Sequence, residues 1–330
     1  TADIIEVFSG IAAMRVIRGI GGPHPPTVLT IGNFDGVHRG HQVLLRLVRE
    51  RADEAHAQAA ALTFEPHPRE FFAPQAAPPR LSSLREKLLA LADSVLDRLH
   101  VLRFDSRLAR LGAEEFIETL LVRGLNVQHL VIGDDFRFGA RRGGGLAELL
   151  EAGERFGFTV EPVPEVRIDG LRVSSSLIRT LVAEGKLEQA ARLLGRPYSI
   201  EGRVMHGEKL GRALGFPTAN IPLSARRLAP PGVYVCSVVG LAASPLPAVA
   251  NIGLRPTVGG LTPRLEVHLL DWSGECYGRR VCVAFFHKLR EERKFADLDA
   301  LRAQIGEDVV HARQWHRHHG AAFPLTEDHP

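Results

Sequence analysis

Residues 32–41, GNFDGVHRGH, restrict the fold of this chain more than any other segment, because they join a strand-like run directly to a helical one. The preceding TVLTI is apolar and β-branched, which is typical of a buried strand. The following QVLLRLVRERADEA has apolar residues at helical spacing and charges on the other face. The sequence therefore predicts a strand-to-helix turn at residues 32–41.

Strand-like and helical runs continue to alternate through the first half of the chain. The runs AALTF, RLHVLRF and HLVIG read as strands, and residues 84–96, 113–122 and 146–156 read as helices. This alternation predicts an α/β domain, in which a parallel sheet has helices on both faces.

The second half has a different pattern. Residues 233–239, 264–271 and 280–289 alternate as half-buried strands between glycine-bearing turns, and FADLDALRAQIGEDVVHARQW reads as an amphipathic helix. This pattern predicts a small antiparallel β-barrel with a terminal helix over one end.

The turn at residues 32–41 has the composition of a phosphate site. Gly32, Gly36 and Gly40 let a ligand approach the backbone, and the first amide groups of the following helix point outward with the positive end of its dipole. The glycine spacing fits neither GxGxxG nor the P-loop, so both of those motifs are excluded.

His38 and His41 are three residues apart, so they share one helix face if the helix has begun by Val37. Imidazoles there can donate hydrogen bonds to an α-phosphate and stabilise charge on a pyrophosphate leaving group, with no protein nucleophile. Asp35, His38 and His41 are also potential metal ligands. A metal would leave the glycines unexplained, so the pattern favours phosphate.

These residues resemble the HxGH signature of class I nucleotidyltransferases, and GNFDGVHRGH is similar to the matching segment of prokaryotic bifunctional riboflavin kinase/FAD synthetases. The resemblance implies a Rossmann-like nucleotidyltransferase domain with His38 and His41 as catalytic residues. It implies ATP or phosphate contacts at Gly32, Asn33, Phe34, Asp35, Gly36 and Gly40.

A second element, RVSSSLIR at residues 172–179, resembles the family's ISSTxIR segment, with serine where threonine is commoner. Three hydroxyls before an apolar periodic stretch indicate a helix N-terminus. Taken alone, such a segment is more often a cap than a phosphate clamp. The resemblance assigns Ser174, Ser175 and Ser176 to the nucleotide phosphates and Arg179 to catalysis.

FEPHP at residues 64–68 and VIGDDFRFG at 131–139 resemble two further turns of the family. A carboxylate, a guanidinium and aromatic rings suit an adenosine or isoalloxazine ring and its phosphates. For the two phenylalanines the alternative is core packing, which we expect for at least one. The resemblance implies flavin contacts at Pro66, His67, Asp135, Phe136, Arg137 and Phe138.

The second half carries another constellation in EGRVMHGEKLGRALGFPTAN, residues 201–220. Thr218 and Asn220 are two apart, so in an extended strand their oxygens face the same side and suit Mg²⁺ bridging phosphates. On spacing alone, a strand entry in which both bond their own turn is the better reading.

GRxxGFPTAN resembles the riboflavin kinase signature, and NIGLRPT, LEVHLLD and KLRxExKF follow in the family's order. The resemblance implies that Glu266 accepts the proton of the ribityl 5′-hydroxyl and that Thr218 and Asn220 hold Mg²⁺. His268 is a competing base for which we expect a structural role, and a charged helix start is the alternative for Arg290. Gly207, Gly211 and Gly215 are assigned to phosphate, and Asn251 and Arg290 to flavin.

Composition restricts partners and compartment. The net charge is only +3 with no basic block, so we expect no nucleic acid partner. Cys236, Cys276 and Cys282 form an odd set without CxxC spacing, which indicates a reducing compartment. No apolar run reaches membrane-spanning length and the first residues lack a basic n-region, so we expect a cytoplasmic protein that binds no membrane.

The sequence therefore predicts two domains: an FMN adenylyltransferase at residues 14–185 and a riboflavin kinase at 199–325, joined by a linker at 186–198. The expected substrates and products are riboflavin, FMN, FAD and ATP, with Mg²⁺. The alternatives are a single-function nucleotidyltransferase with a non-catalytic second domain and a non-catalytic flavin-binding protein. A homo-oligomer is left open.

Overall fold

The computed structural model describes residues 4–9, 12–94, 96–207, 210–257 and 260–320. The chain divides into two units, one made of Thr1–Pro78 and Ser82–Ser174 and the other of Pro79–Leu81 and Ser175–Pro330. The domain boundaries drawn from the sequence stay predictions, and residues 321–325 of the predicted kinase domain lie outside the described residues.

The first unit contains a seven-stranded sheet in the order β1-β2-β5-β4-β3-β6-β7, where β1 pairs antiparallel with β2 and all other pairs are parallel. The strands are β1 (Ile4–Ser9), β2 (Ala12–Arg18), β3 (Thr27–Ile31), β4 (Gln58–Glu65), β5 (Arg98–Arg103), β6 (Val127–Gly133) and β7 (Thr159–Val163). The chain order reverses between β3 and β6. Ligands of open α/β sheets bind at the carboxyl ends of the strands beside such a switch point.

Helices cover both faces of this sheet, as predicted. They are α1 (Arg39–Glu54), α2 (Pro68–Phe72), α3 (Leu84–Ala92), α4 (Ala113–Phe116) and α5 (Leu146–Phe156). Leu45 and Val48 of α1 belong to the apolar core on one face, and Leu149 and Ala152 of α5 to the core on the other. A short hairpin, β8 (Arg167–Ile168) and β9 (Leu171–Arg172), follows β7.

The helix predicted over residues 113–122 differs in detail, because α4 continues as a wider π-helical segment, Ile117–Gly124. Leu125 N–H donates to Leu120 O at 2.9 Å, one residue beyond the α-helical partner. A side chain at Gly124 would place its Cβ 2.8 Å from Thr119 O, so the wide turn excludes larger residues there.

The second unit opens with α6 (Ser175–Ala183) and α7 (Leu187–Leu194), followed by a six-stranded antiparallel sheet in the order β10-β15-β12-β13-β14-β11. The strands are β10 (Tyr198–Arg203), β11 (Ala219–Pro222), β12 (Gly232–Val239), β13 (Leu246–Thr257), β14 (Gly260–Leu269) and β15 (Arg280–Arg290), with a short α8 (Leu210–Ala213). A bridge between Met205 and Asn220 brings the two edges together. The predicted small antiparallel barrel is confirmed.

The terminal helix α9 (Leu298–His319) begins after its cap Asp297, whose Oδ1 accepts the Ala300 N–H at 2.8 Å. Val309 and Ala312 of α9 pack into a core with Val235 and Phe286 of the barrel. The predicted helix over the barrel is therefore present.

Candidate active sites

The first candidate site is the turn between β3 and α1, at the switch point of the sheet. Phe34 and Val37 have φ of 48° and 41°, and Gly36 has φ of 83°, so this short turn uses the left-handed region repeatedly. The Phe34 ring is fully buried, and a Cβ at Gly32 would lie 3.0 Å from it. Gly32 is therefore required for packing, and Gly36 for its backbone conformation.

His38 and His41 lie together at the start of α1. The helix begins at Arg39, so the condition of a start by Val37 is not met; His38 is instead its N-cap and accepts the His41 N–H on Nδ1 at 3.3 Å. The two rings nevertheless stack, with centroids 3.6 Å apart and an interplanar angle of 14°. Because Nδ1 accepts a hydrogen bond, a neutral His38 ring carries its proton on Nε2.

Asp35 serves this turn as an anchor. Its Oδ1 accepts the Ser82 N–H at 3.0 Å and the Ser82 hydroxyl at 3.1 Å, and Gly36 N–H donates to Ser82 Oγ at 3.1 Å. Among the described residues, no group of three or more His, Cys, Asp or Glu side chains is placed to hold a metal ion. No motif includes Ser82, whose signal in the sequence is the Ser-Ser pair before α3.

Two other predicted segments follow strands of the same sheet, whose parallel carboxyl ends meet at one edge. Pro66 and His67 follow β4, and His67 Nδ1 accepts the Arg69 N–H at 3.1 Å to cap α2. Asn33, directly after β3, has a buried Oδ1 that accepts no hydrogen bond among the described residues. That oxygen can take a donor from a ligand.

The DDFRFG loop follows β6. Phe138 is 6% exposed and packs against Phe116 at 5.2 Å, so core packing accounts for this ring, as expected for at least one of the two. Phe136 stacks on Phe138 at 5.7 Å and is partly exposed. Asp135 forms an ion pair with Arg172, a residue to which the sequence analysis gave no role.

A cleft of about 520 Å³ lies beside this loop. Its lining includes Arg137, Arg142 and the glycines before α5. Arg142 belongs to the ARRGGG segment. This segment is joined to the loop by two backbone hydrogen bonds, from Phe138 N–H to Gly144 O at 3.1 Å and from Gly144 N–H to Phe138 O at 3.0 Å. Asp134 and Glu148 line the same cleft, so its two guanidinium groups lie beside two carboxylates.

The serine segment lies at the start of α6. Ser174 ends the first unit, while Ser175, Ser176 and Arg179 belong to the second. Arg179 Nε donates to Pro79 O at 2.7 Å. The assignment of the three serines to the nucleotide phosphates and of Arg179 to catalysis stays a prediction.

The second candidate site lies on the barrel, where three side chains lie abreast across adjacent strands. Glu266 of β14 is directly opposite Asn220 of β11 on one side and Asn251 of β13 on the other. Residues opposite each other in an antiparallel pair have their side chains on the same face of the sheet. Strand register therefore brings together three predicted residues that are far apart in sequence.

Asn251 and Glu266 line a cleft of about 320 Å³, together with Thr218, His268 and Arg290. His268 Nδ1 donates to Pro217 O at 2.9 Å, which supports the structural role expected for this ring. Glu266 is a partly exposed carboxylate whose Oε1 lies 3.9 Å from Arg264 Nη1. It is the better placed of the two bases.

The glycines of the kinase signature pack against the predicted magnesium ligands. A Cβ at Gly207 would lie 2.4 Å from the Asn220 amide, and one at Gly211 would lie 2.4 Å from Phe216 O and 3.3 Å from Thr218. Gly215 has φ of 91°, which side chains rarely adopt. Asn220 Oδ1 is buried and accepts no hydrogen bond among the described residues, so this hard oxygen fits Mg²⁺.

Arg290 lines the barrel cleft and does not start a helix. It ends β15 and α9 begins only at Leu298, so the alternative of a charged helix start is wrong. Its Nε lies 3.0 and 3.1 Å from the Asp308 carboxylate oxygens and its Nη2 donates to Oδ2 at 2.7 Å. The sequence analysis gave no role to Asp308, the partner of Arg290. Its signal in the sequence is an acidic residue beside Val309 on the apolar side of a helix, where charged residues are uncommon unless they are paired.

The comparisons with known proteins cover both units. A family model described as FAD synthetase matches residues 22–177, and one described as riboflavin kinase matches residues 194–316. A bifunctional riboflavin kinase/FMN adenylyltransferase from Pseudomonas fluorescens is 50% identical over 304 residues, which is 91% of this chain and 97% of that protein. The protein of the same name from Escherichia coli (strain K12) is 47% identical over 306 residues, 92% of this chain and 98% of its own.

A crystal structure described as a macrolide-efflux protein from Streptococcus pneumoniae matches with a TM-score of 0.79 and 30% identity, over 91% of this chain and 99% of that one. Within the part of this chain that the structure describes, no helix has the length and apolar character needed to cross a membrane. The two curated relatives confirm the resemblance seen in the motifs. This chain belongs to the bifunctional riboflavin kinase/FMN adenylyltransferase family.

Proposed function

We propose that this chain converts riboflavin to FAD in two ATP-dependent steps. The second unit phosphorylates riboflavin to FMN, and the first unit transfers AMP from ATP to FMN with release of pyrophosphate. The observation that carries the proposal is the presence on one chain of two separate constellations, the stacked His38–His41 pair and the row of Asn220, Glu266 and Asn251.

In the adenylyl transfer, a phosphate oxygen of FMN attacks the α-phosphorus of ATP, and the bond from that phosphorus to the bridging oxygen of pyrophosphate breaks. His38 and His41 donate hydrogen bonds to the oxygens of the α-phosphate and the pyrophosphate, on which charge accumulates. His38 donates through the Nε2–H that its cap geometry favours. Ser174, Ser175 and Ser176 bind the phosphates, and Arg179 takes part in catalysis. FMN lies against the segments after β4 and β6, including Pro66, His67, Asp135, Phe136 and Arg137.

In the kinase step, the ribityl 5′-oxygen attacks the γ-phosphorus of ATP and ADP leaves. Glu266 accepts the proton of that 5′-hydroxyl. Thr218 and Asn220 would hold Mg²⁺, which when bound neutralises charge on the β- and γ-phosphates. Gly207, Gly211 and Gly215 let the phosphates approach the backbone. Asn251 and Arg290 line the same cleft, and we assign them to the flavin.

The setting of these reactions is also part of the proposal. We place them in the cytoplasm, where the odd set of three cysteines stays reduced. Burial raises the pKa of the Cys236 thiol, which makes it a packing residue rather than a reactive one. The partners are small molecules, with no nucleic acid and no membrane, and a homo-oligomer is compatible with this function.

The first test is a product time course with riboflavin, ATP and Mg²⁺ in one reaction and FMN in place of riboflavin in another. We expect FMN followed by FAD in the first and FAD directly in the second. FMN alone would reduce the first unit to a binding module. No turnover of either flavin would contradict the proposal and favour a different nucleotidyltransferase substrate.

Two variants separate the sites. His38→Ala should reduce FAD formation from FMN by about 100-fold or more, because it removes a donor to the transition state. Glu266→Ala should reduce FMN formation by about 100-fold or more, because it removes the base. Each variant should retain the other activity, which serves as its folding control. Loss of both activities in one folded variant would contradict the two-site assignment.

A further inference from the structure

We infer that Ser82 is a positioning residue for adenylyl transfer, holding the turn that carries His38 without contacting substrate itself. The inference rests on the proposed function of the first unit. Its basis is a set of three hydrogen bonds, here called the clamp, that joins Ser82 to Gly36 and Asp35, which lie 46 and 47 residues earlier in the chain.

The clamp is buried. Ser82 is 6% exposed and Asp35 is 5% exposed. The Ser82 hydroxyl donates to Asp35 Oδ1 and accepts the Gly36 N–H, so both of its roles are used. The Ser82 N–H gives Asp35 Oδ1 a second donor. Water cannot readily replace these bonds in a buried site, so removal of the hydroxyl leaves Gly36 N–H and Asp35 with a lost partner.

The turn needs such a clamp because of its backbone. Phe34, Gly36 and Val37 all have positive φ, and the last two directly precede His38. Phenylalanine and valine adopt that region at a cost, so surrounding contacts must hold them there. If the clamp loosens, the cap geometry and the ring stacking of His38 shift with the turn. Displacements of about 1 Å at a reacting group can cost about 100-fold in rate.

The neighbouring serine performs a different task. Ser83 Oγ accepts the Glu86 N–H at 3.2 Å, and Ser83 N–H donates to Glu86 Oε2 at 2.6 Å, which forms a capping box for α3. Ser83 thus stabilises a helix, whereas Ser82 fixes the turn before α1. Ser83→Ala is therefore a matched control that removes the same hydroxyl one residue away.

The experiment compares the full-length wild type, Ser82→Ala and Ser83→Ala in both reactions. For Ser82→Ala we expect kcat of FAD formation to fall by about 10- to 100-fold while KM for ATP and FMN changes by less than about twofold, because ground-state binding is kept and transition-state alignment is lost. Kinase turnover should stay unchanged. Ser83→Ala should lower the melting temperature and keep kcat of FAD formation.

An unchanged kcat in Ser82→Ala, or an equal loss in Ser83→Ala, would overturn the inference. If Ser82→Ala does not fold, Ser82→Cys decides, because it has similar size and a weaker hydrogen-bonding group: an intermediate kcat supports the clamp and a wild-type kcat contradicts it. Absence of FAD formation in the wild type would instead refute the proposed function, so the two failures are distinguishable.

Discussion

At the residue scale, His100 shows how burial sets the charge of a side chain. It lies on β5 with no exposed surface, its Nδ1 donates to Gly19 O at 3.1 Å, and the His24 ring lies edge-on at 4.9 Å. Burial lowers the pKa of His100 to about 4, the hydrogen bond to Gly19 opposes the shift, and His24 and Arg98 add to it. The ring is therefore neutral at physiological pH.

This pKa predicts a loss of stability in acid. Above the unfolded-state pKa both states hold a neutral ring, whereas between about 6.5 and about 4 only the unfolded chain takes up the proton. Stability should fall over that window, by about 2 kcal/mol at about pH 5. Urea unfolding at about pH 7.5 and about pH 5 measures it, with His100→Gln as the variant that cannot titrate. Equal declines in both proteins would assign the acid sensitivity to other groups.

At the scale of one element, α9 combines a packing face with the pairing of Asp308 and Arg290. Asp308 is 3% exposed and holds the guanidinium that lines the barrel cleft. The same helix contains Gly306 in its interior, where an added Cβ would meet no atom within 4 Å. Glycine is a poor helix former, so position 306 weakens α9 two residues before Asp308 and can be replaced by a better helix former.

Gly306→Ala should therefore stabilise the protein by about 0.5–1 kcal/mol and raise its melting temperature by a few degrees. The matched control is Gly185→Ala, since Gly185 has φ of 73° and a Cβ there would lie 2.7 Å from the Lys288 side chain. That control should destabilise by about 1 kcal/mol or more. Calorimetry of both variants checks the pair, and no gain for Gly306→Ala would contradict the account of α9.

At the scale of the whole molecule, the two residues whose variants separate the proposed reactions lie in different units. His38 lies in the first and Glu266 in the second. FMN is the product of one reaction and the substrate of the other. A chain damaged at one site should thus still supply or use FMN from solution.

A mixture of His38→Ala and Glu266→Ala chains should accordingly convert riboflavin to FAD, although neither variant does so alone. FMN made by the first variant diffuses to the intact adenylyltransferase of the second. The measurement is FAD formed from riboflavin by each variant and by an equimolar mixture. Failure of the mixture, with both single activities intact, would show that FMN must pass within one chain.

The sequence by itself determined most of the elements and their order, although it did not predict β1 and β2. Strand β3 was predicted at its observed bounds, Thr27–Ile31, and α5 at Leu146–Phe156, because side-chain periodicity is a local property. The α/β unit, the barrel and the family also followed from local runs and motifs. A helix was predicted over residues 113–122, but the segment continues to Gly124 with wider turns, which depend on the fit of Gly124 against Thr119 O.

Only the tertiary structure decided which side chains meet. The clamp of Ser82 on the turn of His38, the pairing of Arg290 with Asp308 and the row of Asn220, Glu266 and Asn251 all join residues distant in sequence. Strand register and the packing of helices on sheets set these contacts, and neither can be read from the spacing of residues within one element. The motifs identified the chemical groups, whereas the fold fixed their partners, burial and pKa.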